Sequence, residues 1–232
     1  MITLRKSAQR GHADHGWLDS HHTFSFADYH DPQHMGFSVL RVINEDKVAA
    51  GKGFGQHGHR DMEIISIVLD GELEHQDSMG NRTRIKPGEV QRMTAGSGVM
   101  HSEANPLPTK PAHFLQIWIM PEKLGLEPSY AQKAFPPEAR KGTLQRVVSP
   151  DGKDGSITVN QDASLFLATL EAGQVVSHAL AKGRKAYMQV LAGKALLDGQ
   201  PLEAGDGARI QDQEAITITG ADQAEVLLFD LP

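Results

Sequence analysis

Two short pairs of residues carry the chemistry that this sequence can offer. In Gly51-Lys52-Gly53-Phe54-Gly55-Gln56-His57-Gly58-His59, two histidines are separated by one residue. In Gly96-Ser97-Gly98-Val99-Met100-His101-Ser102-Glu103, a histidine and a glutamate repeat that spacing. Along a strand, alternate side chains share a face and each residue advances about 3.3 Å, so each pair projects two donors the same way about 6–7 Å apart. Imidazole nitrogens bind a transition ion at about 2.0–2.1 Å, and both pairs follow a glycine-rich approach that leaves room for one. If the two strands are neighbours, His57, His59, His101 and Glu103 surround a common cation. Three neutral imidazoles and a carboxylate suit Fe, Mn, Co, Ni, Cu or Zn, with iron the expected ion, and do not suit Ca or Mg. On an octahedral ion, four protein ligands leave two positions open to substrate or dioxygen.

A single His-x-His among 12 histidines is weak evidence, and it is the second pair that gives the pattern weight. The remaining histidines read differently. His12, His15, His21, His22, His30 and His34 crowd the start of the chain with spacings that follow no strand or helix face, and they read as loop or surface residues. His75, His113 and His178 stand singly and read as structural. Glu63, four residues after His59, is either a carboxylate that orients a ligand from behind or an ordinary core-edge acid.

The elements that must position these residues are strands. Glycine (23) and proline (12) punctuate the chain, and short apolar runs lie between them. These are Ser38 to Ile43, Ile64 to Leu69, Phe114 to Ile119, Ala186 to Leu191 and Ala215 to Thr219. Helical periodicity is almost absent; only Ser129 to Lys133 and Pro137 to Lys141 resemble helical turns. An all-β barrel or sandwich is therefore expected. Pro121 to Thr143 has little strand character and reads as a bridge between halves. A faint repeat supports the division. Ile67-Val68-Leu69-Asp70-Gly71-Glu72-Leu73 overlays Gln189-Val190-Leu191-Ala192-Gly193-Lys194-Ala195, and Pro87-Gly88-Glu89 overlays Ala204-Gly205-Asp206. The second copy has Val175-Val176-Ser177-His178 and Ile216-Thr217-Ile218 where the first has its ligand pairs, so it is expected to keep the barrel without the metal.

Bulk properties narrow the function. In 232 residues the hydrophobic share is 39% and the charged share 22%, ordinary for a globular protein. A net charge of −6 offers no basic surplus for phosphate backbones, so no nucleic acid is expected as a direct partner. Cysteine is absent, which removes disulfides, thiolate ligands and cysteine nucleophiles. No apolar core follows the basic pair Arg5-Lys6, and the longest apolar stretch is too short to cross a bilayer; a soluble, cytoplasmic protein with no membrane partner is expected.

Taken together, these motifs resemble the pirin family of the cupin superfamily. The resemblance runs through Gly16-Trp17-Leu18-Asp19-Ser20-His21-His22-Thr23-Phe24-Ser25-Phe26, Gly36-Phe37, Leu40-Arg41-Val42-Ile43-Asn44 and His57-Gly58-His59-Arg60-Asp61-Met62-Glu63. It continues in Glu74-His75-Gln76-Asp77-Ser78-Met79-Gly80, Ala95 to Glu103 and Leu115-Gln116-Ile117-Trp118. It implies two tandem cupin barrels, with metal in the N-terminal one held by His57, His59, His101 and Glu103. The implied division is 1–130, a linker at 131–142, and a degenerate second barrel at 143–232. Gly71 and Gly96 depart from the general cupin pattern, in loops away from the ligands. Bacterial pirins are similar to quercetin 2,3-dioxygenases, which cleave the flavonol ring and release carbon monoxide. That resemblance implies a planar flavonol substrate, dioxygen, and Glu103 as the base for the 3-hydroxyl; Phe54, Met62 and Met100 are candidates for the cavity wall, with core packing the preferred reading of each. The alternative that the family implies is a redox-sensing regulator with a transcriptional or metabolic protein partner. A monomer is expected.

Overall fold

In a computed structural model describing residues 1–232, the apolar runs become the middle strands of two similar pairs of sheets, antiparallel except where Gln145–Ser149 pairs in parallel with Ile157–Thr158. The N-terminal pair consists of a seven-stranded and a four-stranded sheet. In the larger, strands Ser129–Ala134, Glu89–Thr94, Glu63–Asp70, Ala112–Ile119, Leu40–Val48, Leu18–His22 and Gly11–Asp14 lie side by side in that order. In the smaller the order is Gly53–His59, Val99–Ala104, Leu73–Asp77, Arg82–Ile85. The C-terminal pair repeats the plan. Gly207–Ile210, Lys185–Ala192, Ala224–Leu231 and Ser164–Leu170 take the places of the four strands from Glu89–Thr94 to Leu40–Val48. Val175–Ala179, Ala215–Gly220, Lys194–Leu197 and Gln200–Glu203 take those of the smaller sheet. The repeat seen in the sequence is thus a repeat of strand order: two cupin barrels in tandem, almost wholly β.

Each barrel builds its own core. In the C-terminal one, Val176, Ile216 and Ile218 point inward with Met188, Val190 and Leu228, and all are buried. Fully burying such a side chain contributes about 1.5–3 kcal/mol, so the positions corresponding to the ligand pairs serve stability. His178 lies aside from them, its ring 2.7 Å from the Asp230 carboxylate.

The chain is partitioned less simply than 1–130, 131–142 and 143–232. Residues 1–10 belong to the C-terminal unit, because Ile2–Arg5 adds to its sheet beside Gly207–Ile210. Residues 159–161 belong to the N-terminal unit, where Asn160 is bonded to Glu63 and Thr94. Ser129 to Lys133, expected to be helical, is strand. Its backbone pairs with Glu89–Thr94 from Ser129↔Thr94 to Ala134↔Glu89, and this edge pairing overrides a composition that favours turns. The bridge region therefore contributes a strand to the first barrel. Pro137–Arg140 is a short 3-10 turn, as its proline at the first position favours. No helix is long and apolar enough to cross a membrane.

Candidate metal centre

Gly53–His59 and Val99–Ala104 are hydrogen-bonded neighbours, with His57 opposite His101 and His59 opposite Val99. Glycine permits the pairing: a Cβ on Gly53 would lie 2.3 Å from the Glu103 carbonyl oxygen and 2.5 Å from the Ala104 Cα. His57, His59 and His101 converge, with ring centroids 4.4 to 4.8 Å apart. His101 is buried and His57 and His59 are half-buried.

The neighbouring hydrogen bonds select the tautomers. His57 Nδ1–H donates to the Gly55 carbonyl at 2.8 Å, which turns its Nε2 lone pair toward the cluster. On the other side, His75 Nε2–H donates to Asp77 Oδ2 at 3.1 Å, and His101 Nδ1–H donates to His75 Nδ1 at 3.4 Å. His101 then also presents a lone pair on Nε2, 2.9 Å from Nε2 of His57. His59 Nε2 is buried with no hydrogen-bond partner. Two lone pairs facing each other and a third orphaned nitrogen beside them make an arrangement that only a shared cation or proton satisfies. Protonation is disfavoured: burial first, then the neighbouring imidazoles, lowers His59 to about 4 and His101 to about 3. The donor set fits a borderline divalent transition ion.

Glu103 is placed differently from the three imidazoles. A bulge between His101 and Glu103 shifts the register so that Glu103 faces Phe54. Its carboxylate groups with His101 and His75, the ligand atoms of all three lying within 4.8 Å of one another. Gln116 Nε2–H donates to Oε2 at 2.6 Å, while Oε1 is buried without a partner. Burial raises the Glu103 carboxyl to about 7, and the Gln116 hydrogen bond offsets only part of that. Glu103 shares the wall of one cavity of about 600 Å³ with His57 and His59.

That cavity is lined by both apolar and polar side chains. Trp118, Phe26 and Phe54 supply flat apolar surface, and Ser20, Asn44, Asp46 and Gln116 supply polar groups. Asp46 accepts a hydrogen bond from the Ser20 hydroxyl, and burial raises its carboxyl to about 7. Of the expected wall residues only Phe54 lines the cavity. Met62 packs with Ile64, Met93 and Val99, and Met100, one residue out of phase with His101, points outward and is 42% exposed. Glu63 does not stand behind His59. A turn with Asp61 at φ 53° separates the two strands, so the same-face argument fails. Glu63 is instead buried, accepting from Thr94 Oγ1 at 3.1 Å and Asn160 Nδ2 at 3.1 Å. Sequence reasoning missed His75 and Asp77 as partners of His101, though their alternate spacing in Glu74-His75-Gln76-Asp77 signals a shared face.

Two barrels of this plan, with a cluster of imidazoles inside the first, define a bicupin with a metal centre in its N-terminal barrel. Comparison with known proteins gives the particular family. The Pirin family profile matches residues 3–119, and a profile described as the quercetinase C-terminal cupin domain matches 146–231. The chain belongs to the pirin family. It is 51% identical over 232 residues to the Escherichia coli K12 protein named quercetin 2,3-dioxygenase, covering 100% of this chain and 99% of that one. It is 43% identical over 231 residues to a pirin-like protein of Caulobacter vibrioides, covering 99% of each. The crystal structure of the bacterial pirin YhhW from E. coli in complex with nickel(II) superposes with a TM-score of 0.96 at 50% identity, covering 100% and 99% of the two chains.

Proposed function

We propose that this chain is a metal-dependent dioxygenase that cleaves the ring of a flavonol such as quercetin with release of carbon monoxide. In this reading His57, His59, His101 and Glu103 hold the ion, which is iron. The observation that carries it is the approach of His57 Nε2 and His101 Nε2 to 2.9 Å beside a mostly apolar cavity whose wall includes His57, His59 and the buried Glu103 carboxyl. The relatives' names and the nickel complex support the same reading.

The bound ion supplies Lewis acidity and a docking point for the substrate's 3-hydroxyl oxygen. The chain's residues do the rest. Trp118, Phe26 and Phe54 take the flat rings, and the Ser20–Asp46 and Gln116 groups meet ring hydroxyls. Glu103 takes the 3-hydroxyl proton on Oε1, the oxygen that Gln116 leaves free. Gln116 holds the other oxygen and so fixes the carboxyl plane. The flavonolate and one dioxygen then become the ring-opened ester and carbon monoxide; both atoms of dioxygen end in the ester, and the carbon monoxide leaves with the substrate's own C3 oxygen.

The test is the flavonol absorbance band of quercetin incubated with protein in air. Metal-dependent loss of the band is expected, abolished in His57→Ala and slowed about 10²–10⁴-fold in Glu103→Gln, the usual worth of a general base. Absence of turnover with every one of Fe, Mn, Co, Ni, Cu and Zn overturns the proposal.

A further inference from the structure

We propose that His12, Asp19 and His21 form a second divalent-cation site on the outward face of one hairpin of the first barrel. Strands Gly11–Asp14 and Leu18–His22 pair antiparallel with His12 opposite His21 and Asp14 opposite Asp19. His12 and Asp14 therefore share a face with Asp19 and His21, so this hairpin repeats the device of the main centre: two alternate-residue pairs across an antiparallel ladder. The histidines that the sequence spacing left without a common face acquire one from cross-strand pairing.

The donor geometry is that of a chelate. His12 Nε2 lies 2.8 Å and His21 Nδ1 3.6 Å from the same Asp19 Oδ1. Ligands about 2.0–2.2 Å from a four- to six-coordinate ion stand roughly 2.9–3.4 Å from one another, the interval that these separations bracket. The two imidazoles stack with centroids 4.5 Å apart and an interplanar angle of 23°, so both rings present nitrogen to the same carboxylate. An ordinary surface ion pair needs only one of them. Asp14 stays outside the set, its Oδ1 accepting the Gly16 N–H at 2.8 Å. Two imidazoles and one carboxylate select the same borderline ions as the main centre. The side chains of His12, Asp19 and His21 are 52%, 44% and 34% exposed, so water completes the shell and the site is the weaker, more exchangeable of the two. Leu18, Ser20 and His22 line the cavity, so the alternate residues Asp19 and His21 project from the other face of the strand, away from the reacting centre.

The site stands independently of the proposed reaction, and its test does not use activity. Ni(II) is titrated calorimetrically into the full, chelator-stripped protein. The wild type is expected to bind two equivalents, one tight and one weaker. The double variant His12→Ala, His21→Ala keeps only the tight event, and His57→Ala keeps the weaker one. A single equivalent in the wild type overturns the proposal, as does a double variant that still binds two. A reading that needs no variant is proton NMR of the wild type. The second Ni(II) equivalent must broaden the imidazole resonances of His12 and His21, and unchanged lines with the ion bound refute the assignment.

Discussion

Replacing His75 by phenylalanine tests how the centre is organised. The ring's volume is nearly retained in a site where His75 and its neighbour His101 are both buried, so the substitution removes two hydrogen bonds without opening a cavity. His101 Nδ1–H loses its acceptor, and Asp77 loses one donor while keeping the Asn81 side-chain amide at 2.8 Å. A buried donor left unpaired costs about 1–3 kcal/mol. The His101–His75 bond is long, at 3.4 Å, which places the cost toward the lower end. About 1–2 kcal/mol converts to roughly 5–30-fold weaker metal binding at 1.36 kcal/mol per decade, within the range known for groups that orient metal ligands from behind. The penalty falls on metal affinity because free His101 can turn its N–H toward His57, a tautomer that the ion forbids. The assay is competition for Ni(II) against a chelator of known affinity, with thermal unfolding of the metal-free protein alongside. Affinity within twofold of wild type, in a variant that unfolds at the wild-type temperature, refutes the relay from Asp77 through His75 to His101.

Two further outcomes follow from the same geometry. Gly53→Ala forces a methyl to 2.3 Å from the Glu103 carbonyl oxygen, so it should destabilise the protein by about 1–3 kcal/mol in chemical denaturation and reduce quercetin turnover by displacing the Glu103 strand; wild-type behaviour in both would show that the strands are not in this register. His59 and His101 are depressed from 6.5 to about 4 and about 3, so in the metal-free protein the unfolded chain binds more protons than the folded one between those values and 6.5. The stability that these two imidazoles contribute is therefore full above about pH 6.5 and is lost as pH is lowered toward 3, while the raised carboxyls of Asp46 and Glu103 act in the opposite sense up to about 7. His59→Gln should flatten that fall in denaturation curves measured across the window, and an unchanged slope would contradict the burial argument.

Much of this protein is legible in its sequence. Strand character, the duplication and the shared face of His57 and His59 follow from period-two alternation and from glycine turns, because a regular strand places every second residue on one face; Glu103 departs from that rule through the bulge after His101. The loss of a metal set from the second barrel is equally local, since Val176, Ile216 and Ile218 cannot ligate. What pairing decides is hidden from such reasoning. Ser129–Ala134 is strand only because Glu89–Thr94 offers it an edge, and Glu63 leaves the His59 face only because a left-handed turn at Asp61 intervenes. His75 joins His101, and His12 joins His21, across strands whose register no spacing within either segment encodes. Burial has the same origin. The depressed imidazoles and the raised carboxyl of Glu103 depend on how much water the closed barrel excludes, a property of the packed fold and of no single segment of chain.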